Sequence, residues 1–308
     1  MATNQEDIAA NGDVVLIVGG DDTVVGQKRL RVSSHMLSTA SPVFKALLGP
    51  HFREGAQSRS STSPVEIPLP DDISELLSYL CNLLHAKHLP AFDALNADKL
   101  YELALTVDKY DCSSTLRLQS RAILMSWDYS NTSPMLELRD LWNLATAAYL
   151  LREPLGFRVY TEKLITHTKG RLSVLRELPC GGVMPLEILV AIEERRNLAR
   201  AEFIERVHDG AMCLVCLKLD NKGFLDVIAK GLGSDQWPPD LGRKNNVTIM
   251  DGLSKVRGMK GYRYPCCPHV SPHFEGLVDC IKQKCGAVCL DCVLEGQLDL
   301  TTECEKHA

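Results

Sequence analysis

Between Val14 and Trp127 the apolar residues switch from strand spacing to helical spacing and back, and this switching restricts the chain to an α+β arrangement. Val14 to Val18 is an unbroken apolar run closed by Gly19-Gly20-Asp21-Asp22, which reads as a buried strand and a turn. Leu30 and Val32 alternate with Arg29 and Arg31 in a second strand. Met36, Leu37, Ala40, Val43, Phe44, Leu47 and Leu48 then recur at helical spacing. Ser41-Pro42 interrupts that stripe. Serine is a favoured N-cap and proline a favoured first helical residue, so two short helices in tandem are expected, the second stopped by Gly49-Pro50. Arg59 to Pro64 reads as an exposed loop, and Val65, Ile67 and Leu69 alternate as a third strand. Asp72 and Glu75 form a capping-box pattern before a helix with Ile73, Leu76, Leu77, Leu80, Leu83 and Leu84 inward. Asn96 caps a further helix over Leu100, Leu103, Ala104, Val107 and Tyr110, and Leu116, Ser120, Ile123 and Trp127 indicate another. Strands gathered ahead of a run of helices argue against a parallel, doubly wound sheet.

A chain of 308 residues exceeds what one hydrophobic core usually serves, so two domains are expected. The net charge of −5 and the lack of a basic run argue against a general nucleic-acid binder. No stretch approaches the roughly 18 apolar residues of a membrane span. The opening MATNQEDIAANGD has neither the basic start nor the apolar core of a signal peptide, so an intracellular protein, in cytoplasm or nucleus, is expected. In that reducing setting the 12 cysteines are thiols rather than a disulfide framework. Cys81, Cys112 and Cys180 read as small buried hydrophobes.

Four segments in order, GDVVLIVG, LRVSSHMLSTASPVFKALLGPHFREG, VEIPLPDDISELLSYLCNLLHAK and LYELALTVDKYDC, lie within residues 12–128 and together resemble the BTB/POZ domain, and its fungal branch in particular. GDVVLIVG, with Asp13, is similar to the first common strand of the family. In LRVSSHMLSTASPVFKALLGPHFREG, the residues Leu37, Ser41, Pro42, Phe44 and the Phe52–Glu54 pair sit where the family has its Leu, Ser-Pro, Phe and Phe-x-Glu. VEIPLPDDISELLSYLCNLLHAK and LYELALTVDKYDC resemble the next strand and two helices. The resemblance implies a three-stranded sheet with helices over residues 12–128, after a disordered N-terminus at 1–11. Where the family often has a His before the hairpin this chain has Ser33, and His35 is displaced by two, so no role passes to His35. Long members swap an N-terminal helix and strand between subunits. About a dozen residues precede Asp13 here, so a homodimer would form without a swapped strand. Some members dock on cullin scaffolds of ubiquitin ligases, which makes that partner an implied one.

Residues 133–210 read as antiparallel helices. Ser133-Pro134 opens one with Leu138, Leu141, Trp142, Ala145, Ala148 and Tyr149 on a face. Pro154 opens a second through Phe157, Tyr160 and Leu164, and Pro185 a third with Leu189, Ile192, Ala199 and Phe203 inward and Glu202 paired to Arg206. Glu193-Glu194-Arg195-Arg196 reads as a solvated helix face. Residues 211–308 form a Cys-rich helical region with two C-x-x-C pairs, Cys213/Cys216 and Cys289/Cys292. Two such pairs supply the four thiolates of a tetrahedral structural zinc site. Cys266, Cys267, His269, His273, Cys280 and Cys285 lie between them and multiply the ligand sets. Small apolar packers on helices are the competing reading, given the neighbours Leu214, Val215, Leu290 and Val293.

The chain contains no Walker loop, G-x-G-x-x-G, H-E-x-x-H or G-x-S-x-G, so an enzyme is not expected. Asp21-Asp22 and Asp71-Asp72 fit a turn and a helix cap. The leading expectation is a protein–protein adaptor or scaffold, with a cullin-RING substrate adaptor as one branch. The alternative is a zinc-containing transcriptional or chromatin regulator.

Overall fold

A computed structural model describes residues 5–20, 27–50, 57–130, 137–178, 181–210, 224–234, 237–239, 248–257 and 286–297. The chain forms two compact units, Met1–Thr132 with Thr146–Gly156, and Ser133–Ala145 with Phe157–Ala308. Residues 146–156 therefore group with the N-terminal unit, and Ser133–Ala145 group with Phe157–Ala308. No helix among the described residues is long and apolar enough to cross a membrane.

The first unit is α+β. Its sheet has four strands, β1 (Gln5–Asp7), β2 (Val14–Val18), β3 (Lys28–Val32) and β4 (Val65–Leu69), in the order β1-β3-β2-β4. β2 runs antiparallel to β3 and parallel to β4, and β1 runs parallel to β3, so the sheet is mixed. The continuous apolar run of β2 follows from its central position: Val14, Val15, Leu16 and Val18 are all buried, which requires cover on both faces. Leu16 sits opposite Leu30 on one side and Ile67 on the other.

β1 corrects two expectations. The sheet has four strands, not three, and residues 5–11 are ordered. The polar composition of the segment hides this, because its hold is not local. The Glu6 carboxylate is bound by Lys28, Ser78 and Asn82, and Ile8 is buried. The strand pairs within its own chain.

Tandem capping shapes the hairpin after β3. Ser33 caps α1 (Ser34–Ala40) and Ser41 caps α2 (Pro42–Leu47), each oxygen accepting the N–H three residues on. Asp13 anchors the start of α1 by accepting from the Ser34 N–H at 2.8 Å and from its hydroxyl at 2.6 Å. Burial raises the Asp13 carboxyl, and those two bonds with the nearby Arg59 charge outweigh it, holding the group below its ordinary value. α3 (Ser74–Leu84), α4 (Ala97–Lys109) and α5 (Arg117–Ser130) complete the core. Asn96 caps α4 as expected, accepting from the Lys99 N–H at 2.8 Å. Asp72 does not cap α3: the helix starts after Ile73 with no side-chain cap, and Ile73 is 52% exposed instead of inward.

α6 (Leu138–Leu150) is buried from Leu141 to Ala148 on every side, so Asn143 and Thr146 are enclosed along with its apolar residues. Its expected start at Ser133-Pro134 lies outside the described residues. Arg152, at φ 51°, closes α6, and Glu153 then caps α7 (Pro154–Thr166) by accepting the Gly156 N–H. Glu153 is fully buried and also accepts from Arg121 Nε of α5 at 2.8 Å, so the cap doubles as an ion pair.

Among the described residues, the second unit is helical. α8 (Leu186–Gly210), α9 (Phe224–Gly231), α10 (Ile249–Arg257) and the short α11 (Leu290–Leu294) are its later helices, and α10 packs on both α8 and α9. Glu202 and Arg206 pair at 2.8 Å on α8. The charge run on that helix is solvated at Glu194 and partly so at Glu193 and Arg195, but not at Arg196. Arg196 is fully buried and donates to the carbonyls of Thr168 at 3.1 Å and Gly170 at 2.7 Å, and Arg195 donates to the Gly286 carbonyl at 2.7 Å. The guanidinium satisfies two carbonyls of the segment that follows α7. Burial, together with the Arg200 charge, lowers Arg196 to about 10.

Candidate functional site

α2 turns one face inward and leaves another bare. Phe44 and Leu48 are buried, while Pro42, Val43 and Ala46 are exposed. β4 alternates in the same way, with Val65 and Ile67 inward and Glu66 and Pro68 outward. It is an edge strand, and Pro68 has no N–H to offer a further strand. Pro42, Val43, Ala46 and Leu47 of α2 face the run Pro68–Asp72 across an open groove of about 650 Å³, which Lys109 and Tyr110 close at the end of α4. The groove is lined mainly by apolar atoms.

Its polar end is fixed by Asp72. Lys109 Nζ donates to one carboxylate oxygen at 2.8 Å and the Tyr110 hydroxyl donates to the other at 3.0 Å. The Tyr110 ring stacks on Phe44 with centroids 4.4 Å apart, and Lys109 Nζ lies 5.6 Å from the same ring. Burial, followed by the Asp72 charge, pushes the Tyr110 hydroxyl well above its ordinary value, so it stays a hydrogen-bond donor. The Tyr110 carbonyl accepts from the Ser41 hydroxyl at 2.6 Å and the Cys112 thiol at 3.3 Å, joining α4 to the cap of α2. The groove thus has mainly apolar walls, with the Lys109–Asp72 ion pair and Asp71 at its polar end. It is suited to contact with another surface.

The sequence anticipated parts of this site under other descriptions. Asp72 was expected as a cap, and the structure assigns it to Lys109 and Tyr110, partners 37 and 38 residues away that no local pattern encodes. His35 is exposed on α1. A histidine that joins two elements is His85, which the sequence did not single out. Its Nδ1 donates to the Cys81 carbonyl at 2.7 Å, and its Nε2 accepts the Ser33 N–H at 3.0 Å. Phe52 and Glu54 lie outside the described residues.

The cysteines divide in the same way. Cys81 and Cys112 are fully buried, as expected of small apolar residues, and burial raises both thiols, Cys112 to about 11. Cys180, Cys213 and Cys216 lie outside the described residues, as do Cys266, Cys267, His269, His273, Cys280 and Cys285. Cys289 immediately precedes α11, Cys292 lies within it, and both are half-buried. Among the described residues, no group of three or more His, Cys, Asp or Glu is placed to hold a metal ion. Comparison with models of known protein families and with curated proteins finds no match.

Proposed function

We propose that the N-terminal unit is a protein–protein interaction module of the BTB/POZ type, and that the chain acts as an adaptor or scaffold. One observation carries the reading. The residues that give the sequence its resemblance to the family also build the groove: Ser41 and Pro42 start α2, Phe44 supports Tyr110, and Tyr110 with Lys109 closes the groove through Asp72. Exposed apolar surface with a polar rim marks a site of contact with another molecule, and this groove has that form. Met36 and Val43, each 39% exposed, add apolar surface on the same hairpin.

Within this reading, the chain serves as a substrate adaptor that docks on a cullin scaffold through the N-terminal unit. Affinity purification from cells, with the wild-type chain beside Val43→Glu and Ala46→Glu, tests both levels. Val43 and Ala46 are exposed, so these variants keep the fold. Loss of a shared set of bound proteins in both variants is expected. An unchanged set removes the groove from the interaction. Repeated absence of a cullin from the wild-type set under mild conditions removes the ligase branch and leaves the scaffold.

A further inference from the structure

At the sheet edge opposite β4, a very short strand is held by an unusually specific set of partners. β1 is three residues long, with Gln5 and Asp7 exposed. Two side chains hold it. The Glu6 carboxylate accepts from Lys28 Nζ on β3, from Ser78 Oγ at 2.6 Å and from Asn82 Nδ2 at 2.9 Å, both on α3. Ile8, just past the strand, is 2% exposed. Ser78 and Asn82 are themselves 3% and 2% exposed and sit among the buried leucines of α3. Buried polar groups in such surroundings destabilise a helix unless they are paired. With Lys28 they form a receptor for one carboxylate. The backbone of β3 completes it, pairing Gln5 with Arg29 and Asp7 with Arg31, and its Arg31 carbonyl accepts the Ala9 N–H at 2.9 Å.

We propose that the β3 edge, with Lys28, Ser78 and Asn82, is a strand-addition site for a partner peptide bearing an acidic residue two positions before an aliphatic one, and that the chain's own Glu6–Ile8 segment occupies it as an internal plug. Strand addition takes affinity from main-chain bonds and specificity from alternate side chains, and here the specific contact is the acid. The strand runs parallel to β3. A tethered segment competes at an effective concentration of about millimolar, so the site answers an outside peptide weakly until the plug is loosened. This goes beyond the groove reading, because it uses the other edge of the sheet and none of the groove residues.

The test uses the full chain carrying Glu6→Ala and Ile8→Ala together, and a fluorescent peptide of the chain's own sequence from Asn4 to Asn11. Anisotropy should show binding at least about tenfold tighter to the double variant than to the wild type. A peptide with Gln in place of its Glu should lose that gain, and so should Asn82→Leu added to the double variant. Circular dichroism checks that each variant is folded. A folded double variant that binds the peptide no better than wild type overturns the proposal, and so does equal binding of the Gln peptide. Sedimentation resolves the remaining occupant: a wild-type dimer that separates on Glu6→Ala and Ile8→Ala assigns this edge to a second copy and overturns the partner-peptide reading. None of these results bears on the α2 variants, so the two proposals fail separately.

Discussion

Replacing Ser41 by Ala removes two interactions from the buried joint between α2 and α4. Ser41 is 1% exposed. Its oxygen accepts the Phe44 N–H at 3.0 Å, and its hydroxyl donates to the Tyr110 carbonyl at 2.6 Å. Loss of an N-cap costs about 1 kcal/mol. Loss of the second bond leaves a buried carbonyl with only the weak Cys112 thiol as donor, which costs about 1–2 kcal/mol more. The sum is about 2–3 kcal/mol. Ser33→Ala is the control. That cap is half-buried, its contact to the Met36 N–H is long at 3.4 Å, and its loss costs about 0.5 kcal/mol. Two compact units make one global unfolding free energy an unsafe readout, so hydrogen exchange resolved to α1 and α2 is the assay. Ser41→Ala should speed exchange there about 30- to 150-fold, and Ser33→Ala only two- to threefold. Equal effects from the two substitutions would refute the argument that the Ser41–Tyr110 bond holds α2 in place.

His85 sets a pH dependence. Burial lowers it below the ordinary value of 6.5 against a raising bond to the Cys81 carbonyl, with the Lys87 charge adding to the lowering, and its Nε2 must stay bare to accept the Ser33 N–H. The folded state therefore favours the neutral ring, so this stability is full above about pH 6.5 and is lost as pH falls through the lowered folded value. Exchange protection at α1 should drop on acidification from pH 7.5 to 5.5, and His85→Asn should flatten that drop. Gly252→Ala places a Cβ 2.7 Å from Phe203 Cζ in the core of the second unit, so hydrogen exchange resolved to α10 should show a local destabilisation of about 1–3 kcal/mol despite alanine's better helix propensity. Gly231→Ala meets only the Lys255 side chain at 3.5 Å and should be neutral or stabilising. One zinc shared by Cys213, Cys216, Cys289 and Cys292 predicts one equivalent of metal in purified protein, and elemental analysis without stoichiometric zinc removes that site.

Features encoded within a few residues were legible from the sequence. The tandem helices around Ser41-Pro42, the Asn96 cap and the Glu202–Arg206 pair each depend on neighbours three or four positions away, and the structure has all of them. What the sequence missed is held from a distance. β1 depends on Ser78 and Asn82, 72 and 76 residues from Glu6. Arg196 depends on carbonyls 26 and 28 residues upstream, so a run of four charges looked solvated when one of them was the interior partner of the segment after α7. Asp72 satisfied a local capping pattern, but Lys109 and Tyr110 offered its carboxylate stronger partners than a backbone N–H.

The groove was partly visible in the sequence as a surplus. The apolar stripe from Met36 to Leu48 is wider than one side of a short helical hairpin can bury. Leu37, Ala40, Phe44 and Leu48 fill the core, and Met36 and Val43 are left at 39% exposure each. Periodicity identifies residues that can share a face, but not how much of that face the rest of the fold covers. Here the fold covers less than the stripe offers, and of the uncovered residues Val43 lies along the groove that Asp72, Lys109 and Tyr110 close. Val43→Glu separates the two uses of the stripe. If the surplus serves contact, the substitution abolishes partner binding and leaves stability within about 0.5 kcal/mol of wild type, as for an exposed surface residue. A loss of stability comparable to Ser41→Ala would place Val43 in the core and remove it from the binding surface.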